Sequence, residues 1–392
     1  MAIQLDPSHV FSGKRFSHRG LTRRQFSSIT ADIGRVNQEL QSAISDNVLP
    51  YMDDASLKAK RAKQFIECFK AYEEIVLIAD TSSIDGLDLL DSPYNWTGVT
   101  SPDARLANQV HLKNTDSTLF VLCTSQQWAV RFCHHLQPKN LVLCIGDGRD
   151  TSTNLSEQFP SHKLLITEEG IADPRFILFS SLSFALSGQS EMIAETIVRS
   201  QTNITETGLY ENQMLFWAAL TFLFDRQAPD QSIVFLIGTR KCWSKWLTWA
   251  NRLWTNMGSG TFNIGNISHR VLNHLHHFIV SDELSMNALY SCPPNTALLI
   301  LEDLRPLTDD TELAVKMWNE SQLEVERLLN ICVDGGYPHA ILQVPQLDNA
   351  HLIECAVFWV HSIMLLGALR GIDPLSLDGA DLWRNSEEHL TS

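Results

Sequence analysis

A chain of 392 residues is too long for one ordinary hydrophobic core and long enough for two compact domains. With 44% hydrophobic and 19% charged residues it reads as a globular protein, neither disordered nor fibrous. Its formal charge of -15 argues against nonspecific attraction to nucleic acid across the whole surface, leaving only a local basic patch to consider.

In chain order, residues 1–50 form the first segment, expected to be a helical arm. Between positions 14 and 24 it carries Lys14, Arg15, Arg19, Arg23 and Arg24 with no acid among them. That pattern fits a solvated helix face or a subunit-docking arm, and alternatively a dock for an acidic partner. Thr22-Arg23-Arg24-Gln25-Phe26 has the look of a twin-arginine export signal, but Ser27, Ser28, Asp32 and Arg35 follow in place of an apolar stretch, so export is not expected.

From residue 51 onward, short apolar runs predict strands at 75–78, 119–122, 141–144, 164–166, 233–237, 297–301 and 340–344. Stretches with helical spacing lie between them, among them 58–72, 125–136 and 311–333. Continuous apolar strands alternating with helices imply parallel sheets covered on both faces. A long helical connection from about Ser180 to Asn203 divides the strands into two groups, predicting doubly wound α/β subdomains at 51–200 and 201–392. The apolar run Leu352 to Leu369 is interrupted by Glu354 and His361 and bounded by Arg370, so it reads as a buried helix and not a membrane span.

The eight cysteines are scattered with no C-x-x-C pair, as expected for buried thiols in a reducing, cytoplasmic setting. In Cys133-His134-His135 and His274-Leu275-His276-His277 adjacent histidines alternate faces or splay and no acidic or cysteine partner lies at ligand spacing, so no metal or other cofactor is expected.

Three segments carry a resemblance. Gly336-Tyr337-Pro338-His339-Ala340-Ile341-Leu342-Gln343-Val344-Pro345-Gln346-Leu347-Asp348 is similar to G-R-P-V-I-x-I-x-L-P-E-L-D and continues to Gly367-Ala368-Leu369-Arg370-Gly371-Ile372-Asp373-Pro374, similar to G-x-x-x-G-I-N-P. Ala172-Asp173-Pro174-Arg175-Phe176-Ile177-Leu178-Phe179-Ser180 is similar to V-G-G-R-F-S-V-x-S. The run from Trp243 to Gly258 is similar to L-x5-W-x2-Q-L-x2-E-S-x-G-K, with Trp246, Trp249 and Trp254 at a helical spacing that suits a core. Together these resemble the glucose-6-phosphate isomerase family, built from two sugar-isomerase (SIS) subdomains, over residues 53–384.

The resemblance implies a sugar or sugar-phosphate ligand, a homodimer or protein partner, and a set of site residues. Arg175 and His269 keep the family's residue type, His269 at the ring-opening position that reaches the neighbouring subunit's site. Asn256 stands where the family has its glutamate base, and Arg384 where it has a lysine. Asparagine cannot ionise, and guanidinium gives up a proton far less readily than ammonium.

The glycine-rich phosphate loop has become Ile78-Ala79-Asp80-Thr81-Ser82-Ser83-Ile84-Asp85, leaving Ser82 and Ser83 as donors beside two anions. The serine-threonine loop retains Thr124, Ser125 and Gln127. For His269 a loop or interface hydrogen bond, for Arg175 a pairing with a carboxylate such as Asp80, and for Asn256 a backbone cap are the plain structural alternatives. The expectation is a protein without hexose-phosphate isomerase activity that acts in binding, regulation or assembly. The alternative is an enzyme of changed chemistry, or a divergent sugar or sugar-phosphate isomerase, using His269 and Arg175.

Overall fold

The computed structural model describes residues 3–9, 23–45, 54–101, 104–146, 149–172, 175–205, 212–227, 233–238, 243, 245–247, 249–250, 253, 296–304, 311–334 and 339–369. The chain divides into two compact units, one of residues 44–198 and one of residues 1–43 with 199–392. In order, the described elements begin with β1 (Gln4–His9), α1 (Arg23–Ser28), α2 (Thr30–Ser45), α3 (Ala55–Phe69), β2 (Glu74–Ile78), α4 (Thr81–Leu87), β3 (Trp96–Val99) and α5 (Ala104–Leu112). They continue with β4 (Thr118–Leu122), α6 (Gln127–Leu136), β5 (Leu141–Ile145), α7 (Arg149–Gln158), β6 (Leu164–Thr167), α8 (Glu169–Ala172), a single 3-10 turn at Ile177–Phe179, and α9 (Ser181–Ser187). The last are α10 (Ser190–Thr205), α11 (Gln213–Gln227), β7 (Ile233–Gly238), β8 (Thr296–Asp303), α12 (Glu312–Asp334), β9 (His339–Val344) and α13 (Asn349–Leu369).

The unit of residues 44–198 is a five-stranded parallel sheet in the order β3-β2-β4-β5-β6. Its inner strands β4 and β5 are buried at every position, because their apolar residues run continuously and do not alternate with polar ones. On one face Val76, Ile78, Phe120, Leu122, Leu143 and Ile145 form a continuous core with Ala129, Cys133 and Leu136 of α6 and Leu155 of α7. This order reverses direction between β2 and β4, and the crevice outside those two strand ends is where doubly wound sheets bind ligands.

β3 escaped the sequence reading. It is four residues long and contains Gly98, where a Cβ would stand 2.8 Å from Ile84 Cγ2, so close packing of α4 requires the glycine.

The other unit holds a four-stranded sheet, β1-β9-β8-β7, parallel except for β1, which runs antiparallel to β9 at the edge. Residues 4–9, expected in a helical arm, therefore belong to this sheet, followed by α1 and α2. Pro7 removes a backbone donor, and an edge is where a strand tolerates that loss. Long-range bonds fix the strand: Ile3 N donates to Glu354 Oε2 at 3.1 Å and Leu5 N to Gln213 Oε1 at 2.8 Å. Arg199 Nε donates to Glu354 Oε1 at 3.0 Å, so the buried carboxylate is both paired and hydrogen-bonded.

α13 is long and apolar enough to cross a membrane, yet 83% of its most apolar window is buried within the protein. It packs against α11 and against a tryptophan cluster. Trp246 meets Trp243, Trp249 and Trp359 edge to face at centroid distances of 6.2, 6.1 and 5.8 Å. Trp359 Nε1 donates to Ala250 O at 3.1 Å. Trp243, Trp246 and Trp249 are thus core residues, while Trp254 lies outside the described residues.

Candidate functional site

The crevice at the ends of β2 and β4 is framed by two loops of different construction. The ladder extends one residue beyond the strands on each side, with Ala79 N donating to Val99 O at 3.1 Å and Cys123 N to Ile78 O at 2.8 Å. Asp80 and Thr124 are therefore delivered to the same edge of the sheet.

After β2, Asp80 adopts an extended conformation, φ -67 and ψ 162, and caps α4. Its Oδ1 accepts from Ser83 N at 2.9 Å and its Oδ2 from Ser83 Oγ at 2.6 Å. The helix N-terminus, an anion site in principle, holds the chain's own anion. Ser83 is buried and its hydroxyl is engaged by Asp80; Ser82 is half-buried. Of the two anions beside Ser82 and Ser83 in this loop, Asp80 thus takes the Ser83 backbone donor for itself.

After β4, Thr124 Oγ1 accepts from Gln126 N at 3.3 Å, shaping the turn. Gln126 is the N-cap of α6 but makes no capping bond to it; its Oε1 accepts from the Trp128 indole instead. Ser125 and Gln127 are exposed. Gln127 Oε1 accepts from Arg131 Nη2 at 3.0 Å. This loop presents the exposed Ser125 and Gln127 side chains outward.

At the end of β6, Glu168 is 3% exposed and its backbone N–H continues the ladder to Ile145 O at 3.0 Å. Its carboxylate accepts from Ser181 N at 3.1 and 3.3 Å, and from Ser181 Oγ, at the start of α9. Sequence reading missed Glu168; the signal was an acid immediately after a strand that ends Leu164-Leu165-Ile166-Thr167.

Arg175 is buried, with its guanidinium carbon 4.9 Å from the centre of the Phe176 ring. The 3-10 turn at 177–179 that follows packs on α4, carrying this segment back toward the crevice.

Ser82, Ser83, Thr124 and Ser125 are thus brought to adjoining strand ends, and Gln127 opens onto the α6 surface. His269, Asn256 and Arg384 lie outside the described residues.

Thiol chemistry does not suit the neighbouring cysteines. Burial pushes the Cys133 thiol up to about 12, with Cys123 adding to the effect, and burial also raises Cys144. Both stay protonated at neutral pH and are poor nucleophiles. Among the described residues no group of His, Cys, Asp or Glu is arranged to hold a metal ion.

No family model and no curated protein sequence matches the chain. Solved structures do. A hypothetical protein from Thermus thermophilus superposes with a TM-score of 0.73 at 13% identity, over 100% of both chains. A glucose-6-phosphate isomerase from Chlamydia trachomatis superposes with a TM-score of 0.71 at 12% identity, over 96% of this chain and 87% of that one. Identity this low speaks to fold and leaves chemistry to the site. On architecture, strand order and these superpositions, the chain has a glucose-6-phosphate-isomerase-like, SIS-type α/β fold.

Proposed function

We propose that this protein binds a sugar or sugar phosphate without interconverting its aldose and ketose forms, and serves as a binding, regulatory or assembly protein, working as a cytoplasmic dimer. The observation that carries this reading is the Asp80 carboxylate on Ser83 N and Oγ, in the loop that the family resemblance implies as one of two phosphate loops. The loop from Thr124 to Gln127 remains to meet a ligand. Proton transfer between adjacent sugar carbons needs a base in reach, and the amide of Asn256 cannot supply one. Arg384 keeps a cation but holds its proton.

In a coupled assay with fructose 6-phosphate the protein is expected to show no turnover above background. Turnover comparable to an ordinary isomerase sinks the reading.

A second reading, an enzyme of changed chemistry, draws support from the buried Glu168 at the end of β6 and the buried Arg175 in the segment that follows it. A specific thermal-shift response to a nonphosphorylated sugar, abolished by His269→Ala, favours it over the first.

A further inference from the structure

Helices α6 and α7 lie next to each other, joined by His134 Nε2 and Gln158 Oε1 at 3.2 Å and by the His134 ring stacked on Phe159, 4.6 Å between centres with 26° between planes. Between the helices runs a groove of about 550 Å³, a volume typical of small-molecule sites. Val130 and Leu155 form its apolar part, while Arg131, His134, Asn154 and Gln158 supply its polar groups; Ser125 and Gln127 complete it near the start of α6.

The charge of this groove is unlike that of the chain. The protein carries a formal -15 with histidine counted neutral, yet among the described residues lining the groove none is acidic, and Arg131 is a cation. Such a concave patch concentrates anions from solution.

Arg131 and His134 stand three residues apart and so share one face of α6. Arg131 gives one N–H to Gln127 Oε1 at 3.0 Å, which orients the guanidinium and leaves its other donors for a planar or tetrahedral anion. Gln158 Nε2 donates to Asn154 Oδ1 at 2.7 Å, which fixes both amides and leaves the Asn154 amide nitrogen to donate to a hydroxyl.

We infer that the groove between α6 and α7 binds an organic phosphate, with the phosphoryl group against Arg131 and His134 and the hydroxyls of its carbon skeleton against Asn154 and Gln158. Among the described residues the groove shares Ser125 and Gln127 with the loop after β4, and its other lining residues lie on α6 and α7. The inference stands whether or not the crevice holds a ligand.

The test is hydrogen exchange by mass spectrometry on the full chain with fructose 6-phosphate, fructose and inorganic phosphate, paired with titration of Arg131→Ala and Arg131→Lys. Fructose 6-phosphate is expected to protect residues 127–136 and 149–158, and fructose is not. Arg131→Ala raises the dissociation constant about tenfold and Arg131→Lys less. The Arg131 side chain is exposed, so its thermal midpoint should match that of the parent protein. Protection confined to residues 79–84 and 123–126 overturns the groove while favouring the crevice. Equal binding by Arg131→Ala, equal binding of fructose, or inorganic phosphate binding as tightly as the sugar phosphate each overturns it as well.

Discussion

The loops after β2 and β4 leave adjoining strands at the same edge of one sheet, and they treat the helix that follows in opposite ways. Asp80 closes its helix with a carboxylate that takes both polar hydrogens of Ser83, whereas Gln126 turns its side chain to Trp128 and leaves α6 without a side-chain cap. A cap chosen from the chain stabilises the helix and excludes an outside anion in one stroke. The open loop forgoes that stability and keeps its hydroxyl and amide groups for something else. Closure by the chain's own acid recurs where Glu168 holds Ser181 and where Asp348 Oδ1 accepts from His351 N at 2.9 Å.

The largest effect expected is from acid, and it must be separated from the loops. His361 is fully buried in α13, and burial depresses it to about 3. It is neutral in the folded protein but protonates on unfolding below about 6.5, the reference value for histidine. Its stabilising effect is complete above that pH and declines as pH falls from 6.5 toward 3, by about 1.4 kcal/mol per pH unit. Urea midpoints measured across this window should slope for the parent protein and flatten for His361→Gln. An unchanged slope contradicts the assignment.

Glu168→Ala comes next. It strips Ser181 of a buried charged acceptor and should destabilise the unit of residues 44–198 by about 3 kcal/mol in denaturant titration. A cost below about 0.5 kcal/mol, the range of ordinary surface changes, would show that the carboxylate does not hold α9.

Asp80 gives the sharper probe, because two substitutions separate its two roles. Asp80→Ala removes the cap and the partner of a buried hydroxyl, at about 1–2 kcal/mol. Asp80→Ser restores a neutral cap and should recover most of that loss. It should also raise affinity for inorganic phosphate about tenfold by removing the competing anion. Phosphate binding no better to Asp80→Ser than to the parent protein would break the contrast between the loops.

The smallest effect on stability belongs to the open loop. Ser125→Ala is expected to shift the unfolding free energy by no more than about 0.5 kcal/mol while weakening fructose 6-phosphate binding. A large loss of stability would show that Ser125 is a structural residue.

Much of the fold was legible because parallel strands buried on both faces are continuous apolar runs, as at 119–122 and 141–144. The exceptions are instructive. Gln4–His9 carries Pro7 and little apolar character, and its place at the edge is fixed by Glu354 and Gln213, far away in sequence. Trp96–Val99 is short, and Gly98 is there for the sake of Ile84.

At the site, residue type was legible and orientation was not. Ser83 and Ser125 look alike in sequence as donors on glycine-poor loops, yet Ser83 turns inward to Asp80 and Ser125 faces outward. Glu168 gave only a weak signal, since an acid after a strand can equally face water. The pairing that fixes its role, with Ser181, depends on the chain folding back through the turn at 177–179.

The central claim, binding without isomerisation, is tested most directly by proton NMR of fructose 6-phosphate incubated with the protein in deuterium oxide. The expected result is broadening of the sugar-phosphate resonances on binding, with no loss of the C1 proton signal to deuterium. Loss of that signal at a rate proportional to protein concentration, abolished by His269→Ala, would show proton abstraction at the site and contradict the claim.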